Sequence, residues 1–207
     1  MSAEAWVPAG AGIEELRQAA PACRGCELWE PATQVVFSAG NPAAAMMLVG
    51  EQPGDQEDRR GIPFVGPAGQ LLQRALAEAG IAVGDVYVTN AVKHFRFTER
   101  GKRRIHATPQ ITHIKACRPW LEAEIDAVDP ALIVCLGATA AKSLLGPGFR
   151  ITQQRGVVLE QPAPTTTRRV LATLHPSAVL RTQGPEHDEA FAGLVTDLRT
   201  AASALTV

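Results

Sequence analysis

Between Asn90 and Cys117 the chain gathers several kinds of chemistry. Asn90-Ala-Val-Lys-His94 offers an amide and an imidazole, and Lys102-Arg-Arg-Ile-His106 sets a second imidazole among cations. From Lys93 to Arg118 eight Lys or Arg stand against one acid, Glu99, although the whole chain has a formal net charge of -1. A positive strip on an otherwise acidic protein suits a polyanion bound at one place, with a solvated basic loop as the plainer alternative. Upstream, Cys23-Arg-Gly-Cys26 has the two-residue spacing that grips one metal or cluster. On spacing alone it is equally a zinc knuckle or a redox dithiol. Cys135 lies inside an apolar run and reads as a buried core thiol.

The elements that must position these groups are legible as alternating strands and helices. Met46-Met-Leu-Val-Gly50, Val86-Tyr-Val-Thr-Asn90, Leu132-Ile-Val-Cys-Leu-Gly137 and Val170-Leu-Ala-Thr-Leu-His175 are short, nearly continuous apolar runs. That is how strands buried on both faces of a parallel sheet read. Pro67 to Ala79 places Leu71, Leu72, Ala75, Leu76 and Ala79 at helical spacing, with Gly80 as a stop. Thr108-Pro109 reads as the cap and first turn of a second helical region bearing Trp120, Leu121, Ile125 and Val128, with Pro119 expected to kink it. Ala138–Leu145 and Glu186–Ala202 complete the set. The expectation is a three-layer α/β/α sandwich over residues 1–207 as one domain, around a mainly parallel four-stranded sheet.

In such sheets ligands bind outside the carboxyl ends of the strands. Gly50-Glu51-Gln52-Pro53-Gly54 follows the first strand, Asn90 ends the second, and His175-Pro176-Ser177 follows the last. A carboxylate, an amide and an imidazole therefore converge on one edge beside the basic strip.

Composition bounds the rest. The chain has 207 residues, of which 46% are hydrophobic, and a mean hydropathy near zero. No linker, low-complexity tract or fixed repeat divides it, and Ala163 to Thr167 reads as a short surface loop. The first residues lack the basic and apolar regions of a signal peptide, and no apolar run approaches the roughly 20 residues that span a bilayer. A cytoplasmic, monomeric protein with its cysteines as thiols or ligands is expected.

Five segments in order carry a family resemblance: Gly50-Glu-Gln-Pro-Gly54, Gly61-Ile-Pro-Phe-Val-Gly66, Asn90-Ala-Val-Lys93, Leu136-Gly-Ala-Thr139 and His175-Pro-Ser-Ala-Val-Leu-Arg181. Together they resemble the uracil-DNA glycosylase superfamily, in particular its iron–sulfur family 4, over about Cys23 to Arg181. The chain departs from family 4 at three points. Gln52 stands where glycine is usual, His94 where a third cysteine is usual, and the Lys102–His106 loop is extra. All three departures resemble the family X branch, whose members cross-link covalently to uracil-containing DNA through the loop histidine.

The resemblance implies a set of roles. Cys23, Cys26, His94 and Cys117 would hold a structural [4Fe–4S] cluster, with a structural zinc as the alternative. Phe64 would stack on a flipped-out uracil, Asn90 would read its O4/N3–H edge, and Gln52 would line the same pocket. His175 would donate towards uracil O2. Leu180 would enter the duplex, while Lys102, Arg103, Arg104, Ser177 and Arg181 would meet the DNA, Arg103 and Arg104 holding the loop against phosphates or the acidic edge of the site. Glu51 and His106 would carry the chemistry, His106 as nucleophile at C1′ and Glu51 as its proton acceptor. The substrate expected is uracil-containing DNA, single- or double-stranded.

Overall fold

The computed structural model describes residues 1–162 and 167–206. Eight strands are present: β1 (Ser38–Gly40), β2 (Met46–Gly50), β3 (Val86–Asn90), β4 (Phe97–Arg100), β5 (Arg103–His106), β6 (Leu132–Leu136), β7 (Val158–Pro162) and β8 (Thr167–Thr173). The helices are α1 (Ile13–Ala19), α2 (Asp55–Arg60), α3 (Pro67–Glu78), α4 (Ile111–Val128), α5 (Ala138–Leu145), α6 (Ile151–Gln154), α7 (Pro176–Val179) and α8 (Pro185–Leu205).

Six strands form one sheet in the order β1-β3-β2-β6-β8-β7. The inner four are parallel, as their apolar runs require, and the two edge strands pair antiparallel. The sheet is therefore wider and more mixed than the expected four-stranded one. The edges were hidden for a physical reason. β1 is only Ser-Ala-Gly, and β7 carries Glu160 and Pro162 with no fully buried position. An edge strand has no need of the two-sided burial that makes a central strand stand out. Residues 163–166 of the expected loop lie outside the described residues, and Thr167 already belongs to β8.

Side chains alternate across the sheet. Met46, Leu48, Val134 and Leu136 pack under α3 and α8, whereas Met47, Val49, Ile133 and Cys135 pack under α4 and α5. These are the three layers. A third apolar cluster joins the N-terminal segment to α4 through Leu16, Ala20, Leu28, Phe37 and Trp120, with Cys23, Cys26 and Cys117 inside it.

Two local expectations need correction. α4 begins after Gln110, not at Thr108-Pro109: His113 Nδ1 accepts from the Gln110 N–H at 3.0 Å, and the Thr108 carbonyl is taken by the Arg96 guanidinium at 2.6 Å. The helix also runs unbroken through Pro119. Proline there removes one hydrogen bond, while Ala116, Cys117, Trp120, Leu121 and Ile125 keep the buried face continuous. Apart from the main sheet stands the hairpin β4–β5, in register Phe97↔His106 to Arg100↔Arg103.

Candidate active site

A cavity of about 660 Å³ opens at the carboxyl edge of the sheet, and Glu51, Gln52, Phe64, Asn90, His106 and His175 all line it. Parallel pairing sets Gly50 beside Asn90 at the ends of β2 and β3. The glycine is a packing requirement: a Cβ at position 50 would stand 2.3 Å from Asn90 Oδ1 and 2.6 Å from Phe64 Cζ. Asn90 and Phe64 thus close directly on bare backbone.

Phe64 is held in a left-handed backbone conformation, φ 55°, which costs a side-chain-bearing residue about 1–2 kcal/mol. Its neighbours compensate. Gly69 gives room for the Phe64 carbonyl, which would lie 1.7 Å from a Cβ there. The Glu57 carboxylate accepts from the N–H groups of Gly66 (2.7 Å) and Gly54 (3.2 Å), tying both ends of this wall together. The Phe64 and His175 rings are nearly parallel, 28° apart in plane with centroids 6.3 Å apart.

Asn90 is buried, and its Oδ1 has no hydrogen-bond partner among the described residues. A buried amide oxygen without a partner, on the wall of a cavity, is an acceptor prepared for a ligand donor. His175 caps α7: its Nδ1 accepts from Ser177 N–H at 3.1 Å, and Ser177 Oγ lies 2.8 Å from the same nitrogen. Burial, reinforced by the charges of His106 and Arg181, pulls this imidazole down to about 4. The ring is therefore neutral at pH 7. With Nδ1 acting as acceptor, the proton resides on Nε2, which is left as a donor.

His106 ends β5 at the cavity mouth, half exposed, with Nε2 3.4 Å from Glu51 Oε1. The hairpin that carries it is held at three points. Gln52 Oε1 accepts from Arg96 N–H (3.1 Å), and its Nε2 donates to the carbonyls of Arg96 (3.1 Å) and Ala107 (3.2 Å). Both amide hydrogens of Gln52 are thereby engaged at the hairpin base, while the residue also lines the cavity. Arg104 takes one of the two places expected of it. Its guanidinium pairs with Asp55 and Asp58, both at 2.6 Å, and lies over the Phe97 ring at 5.0 Å. It grips the acidic edge of the site.

Lys102 and Arg103 are exposed near the hairpin turn and form no ion pair among the described residues. Ser177, Leu180 and Arg181 cluster at α7 across the cavity, where Leu180 is 43% exposed and Arg181 lies 3.4 Å from Ser177 Oγ. Lys93, counted in the basic strip, is wholly buried. Asp55, Glu57 and Asp58 were missed in the sequence; a helix opening on acids directly after Gly54 was the one signal they gave.

Cys23, Cys26, His94 and Cys117 are all buried. Trp120 Nε1–H donates to Cys23 Sγ (3.2 Å) and the Lys93 N–H to Cys117 Sγ (3.3 Å), the kind of contact that stabilises charge on a ligating sulfur. Burial pushes Cys117 up to about 12 and raises Cys26, so ionised thiolates there require a compensating cation. Burial pulls His94 down to about 4, leaving a neutral imidazole with a free lone pair. Among the described residues no three Cys, His, Asp or Glu side chains stand close enough to share one ion. Cys135 is remote from this set, in the sheet core, as expected.

The model of the uracil DNA glycosylase superfamily matches residues 37–199. The chain is 38% identical over 165 residues to a type-4 uracil-DNA glycosylase of Thermotoga maritima, covering 79% of this chain and 81% of that protein. It is 36% identical over 173 residues to one of Sulfurisphaera tokodaii (81% and 76%). A third, from Archaeoglobus fulgidus, is 36% identical over 172 residues (81% and 83%).

Proposed function

From the premise that this chain belongs to the uracil DNA glycosylase superfamily, we propose that it excises uracil from DNA and is then captured through His106 on the abasic sugar. The reading rests on one observation above all: Glu51 and His106 meet at 3.4 Å at the mouth of a cavity whose floor offers the partnerless Asn90 oxygen.

In this mechanism the uracil is flipped into the cavity against Phe64. Asn90 Oδ1 accepts from uracil N3–H. His175 Nε2–H donates to O2, where negative charge gathers as the N1–C1′ bond breaks. Loss of one such donor costs roughly 3 kcal/mol of barrier. The unprotonated ring nitrogen of His106 bonds to C1′ as uracil leaves as the anion, and Glu51 takes up the proton carried by the other nitrogen of the imidazolium so formed. An imidazole bonded to an alkyl carbon is a poor leaving group, so the adduct persists and each molecule acts once.

Cys23, Cys26, His94 and Cys117 would hold a [4Fe–4S] cluster, with a structural zinc as the alternative. Its contribution is structural, fastening the N-terminal segment to α4 and to the turn after Asn90. Lys102, Arg103 and Arg181 would meet phosphates, Ser177 would contact the DNA beside them, and Leu180 would enter the duplex.

The test is denaturing electrophoresis with a labelled uracil-containing oligonucleotide and a thymine control. A band that survives boiling in detergent and disappears in His106→Ala supports capture. The 36–38% identity to type-4 enzymes favours a second reading, a glycosylase that turns over. Alkali-labile abasic DNA accumulating over many turnovers, with no shifted band, would establish that instead.

A further inference from the structure

Beneath the cavity floor lies a buried ion pair that the mechanism does not use. Lys93 and Glu124 are 1% and 0% exposed, and the Lys93 ammonium bonds directly to Glu124 Oε2. Burying two charges is costly and stabilises little by itself; an apolar pair of similar volume often does as well. The placement of the remaining bonds is more telling. Lys93 Nζ also donates to Thr89 Oγ1 (2.5 Å) and to the Asn90 carbonyl (3.0 Å), so all three of its hydrogens converge on the end of β3 and on Glu124. Glu124 is fixed in turn, because its Oε1 accepts from Tyr87 O–H and Thr89 O–H, both at 2.8 Å. Those donors stand on β3 itself. The carboxylate on α4, the ammonium and the strand end therefore form one closed network.

We propose that Lys93, held by Glu124, is a positioning residue for Asn90, fixing the height and angle at which its amide meets the base. The inference rests on the proposed reading of Asn90 as the group that recognises uracil. Asn90 is the last residue of β3 paired to β2, and its carbonyl is braced by a side chain three residues on, folded back over the turn. On the other side the amide abuts bare Gly50. Relaxing the brace lets the peptide tilt and swings the amide away from its target, and a misplacement of about 1 Å at a reacting or recognising group costs on the order of 100-fold in rate.

The test is a double-mutant cycle on the full, metal-loaded chain, measured as the single-turnover rate of uracil release with protein in excess. Lys93→Met combined with Glu124→Gln removes the charges together and leaves an amide oxygen for Tyr87 and Thr89. The expected result is a rate at saturating protein about 10- to 100-fold lower, with affinity for uracil-free DNA unchanged. In an Asn90→Ala background the same pair of substitutions should cost no further rate. Thr89→Val, close in shape and without the hydroxyl, is the second variant should the first fail to fold, and the same loss and the same non-additivity are expected. A wild-type rate in either variant, or a full loss that recurs on top of Asn90→Ala, would overturn the proposal. Equal uracil release by wild type and Asn90→Ala would sink the reading of Asn90 itself, an outcome separate from the fate of the pair.

Discussion

Arg104 meets the fully buried carboxylate of Asp58 at 2.6 Å, fastening the hairpin that bears His106 to α2. Removing the guanidinium leaves a buried charge short of its partner, a change that costs about 3–5 kcal/mol, although the Thr33 N–H, shared between both Asp58 oxygens, softens it here. Arg104→Ala should therefore lower the melting temperature and, under conditions where the protein remains folded, reduce adduct formation more than uracil release. Equal losses in both would show that the clamp supports the whole site and not the hairpin in particular.

Glu51→Gln keeps a hydrogen-bonding group beside His106 Nε2 but cannot take up its proton. Adduct formation should fall by about 100-fold or more, the usual scale for a positioned general base. Quench-flow followed by denaturing electrophoresis reads this directly. An unaltered rate of adduct formation would remove Glu51 from the proton-accepting role.

Gly50→Ala inserts a methyl group 2.3 Å from Asn90 Oδ1 and 2.6 Å from Phe64 Cζ. Both groups must move, so uracil release should drop by roughly 100-fold. Circular dichroism should still show the native sheet, because the residue adopts ordinary strand geometry at the end of β2. Near-normal release would mean that the wall yields more readily than its packing suggests.

His175 makes folding sensitive to mild acid. Its folded value, about 4, lies below the ordinary 6.5, so the unfolded chain binds more protons between those limits. Stability attributable to this residue is complete above about pH 6.5 and falls as the pH drops towards about 4, by up to about 1.4 kcal/mol per unit. Nitrogen NMR of the imidazole should show an Nε2–H tautomer that does not titrate near 6.5. In His175→Gln the stability slope across this range should be shallower.

The cations of the hairpin should divide into two kinds. Lys102→Ala and Arg103→Ala should weaken DNA binding without regard to sequence, each reducing the slope of log affinity against log salt by about 1. Arg104→Ala should leave that slope unchanged once corrected for folded fraction, since its charge already faces Asp55 and Asp58. A loss of slope at Arg104 would place it on the phosphates after all.

What could be read from the sequence followed physical rules of short range. The inner strands were legible because two-sided burial leaves uninterrupted apolar runs, and the ends of those runs point to the cavity edge. Glu51, Asn90 and His175 were found that way. What escaped depends on partners distant in the chain. Nothing near Arg104 shows that Asp55 and Asp58 await it 49 and 46 residues earlier. Lys93 looked like part of a surface strip because its counter-charge, Glu124, lies 31 positions away on α4. Gln52 was placed by motif position, and only the fold shows that its amide faces the hairpin base.

That base has a consequence for how such a protein could arise. Ala107 N–H already bonds to the Arg96 carbonyl at 3.0 Å, so the ten residues of Phe97–His106 leave and re-enter the body at adjacent points. His106 thus travels on a ten-residue hairpin that stands apart from the main sheet. On the proposed reading of His106, a single insertion of that length would separate a catalyst that lets go of its product from one that keeps it.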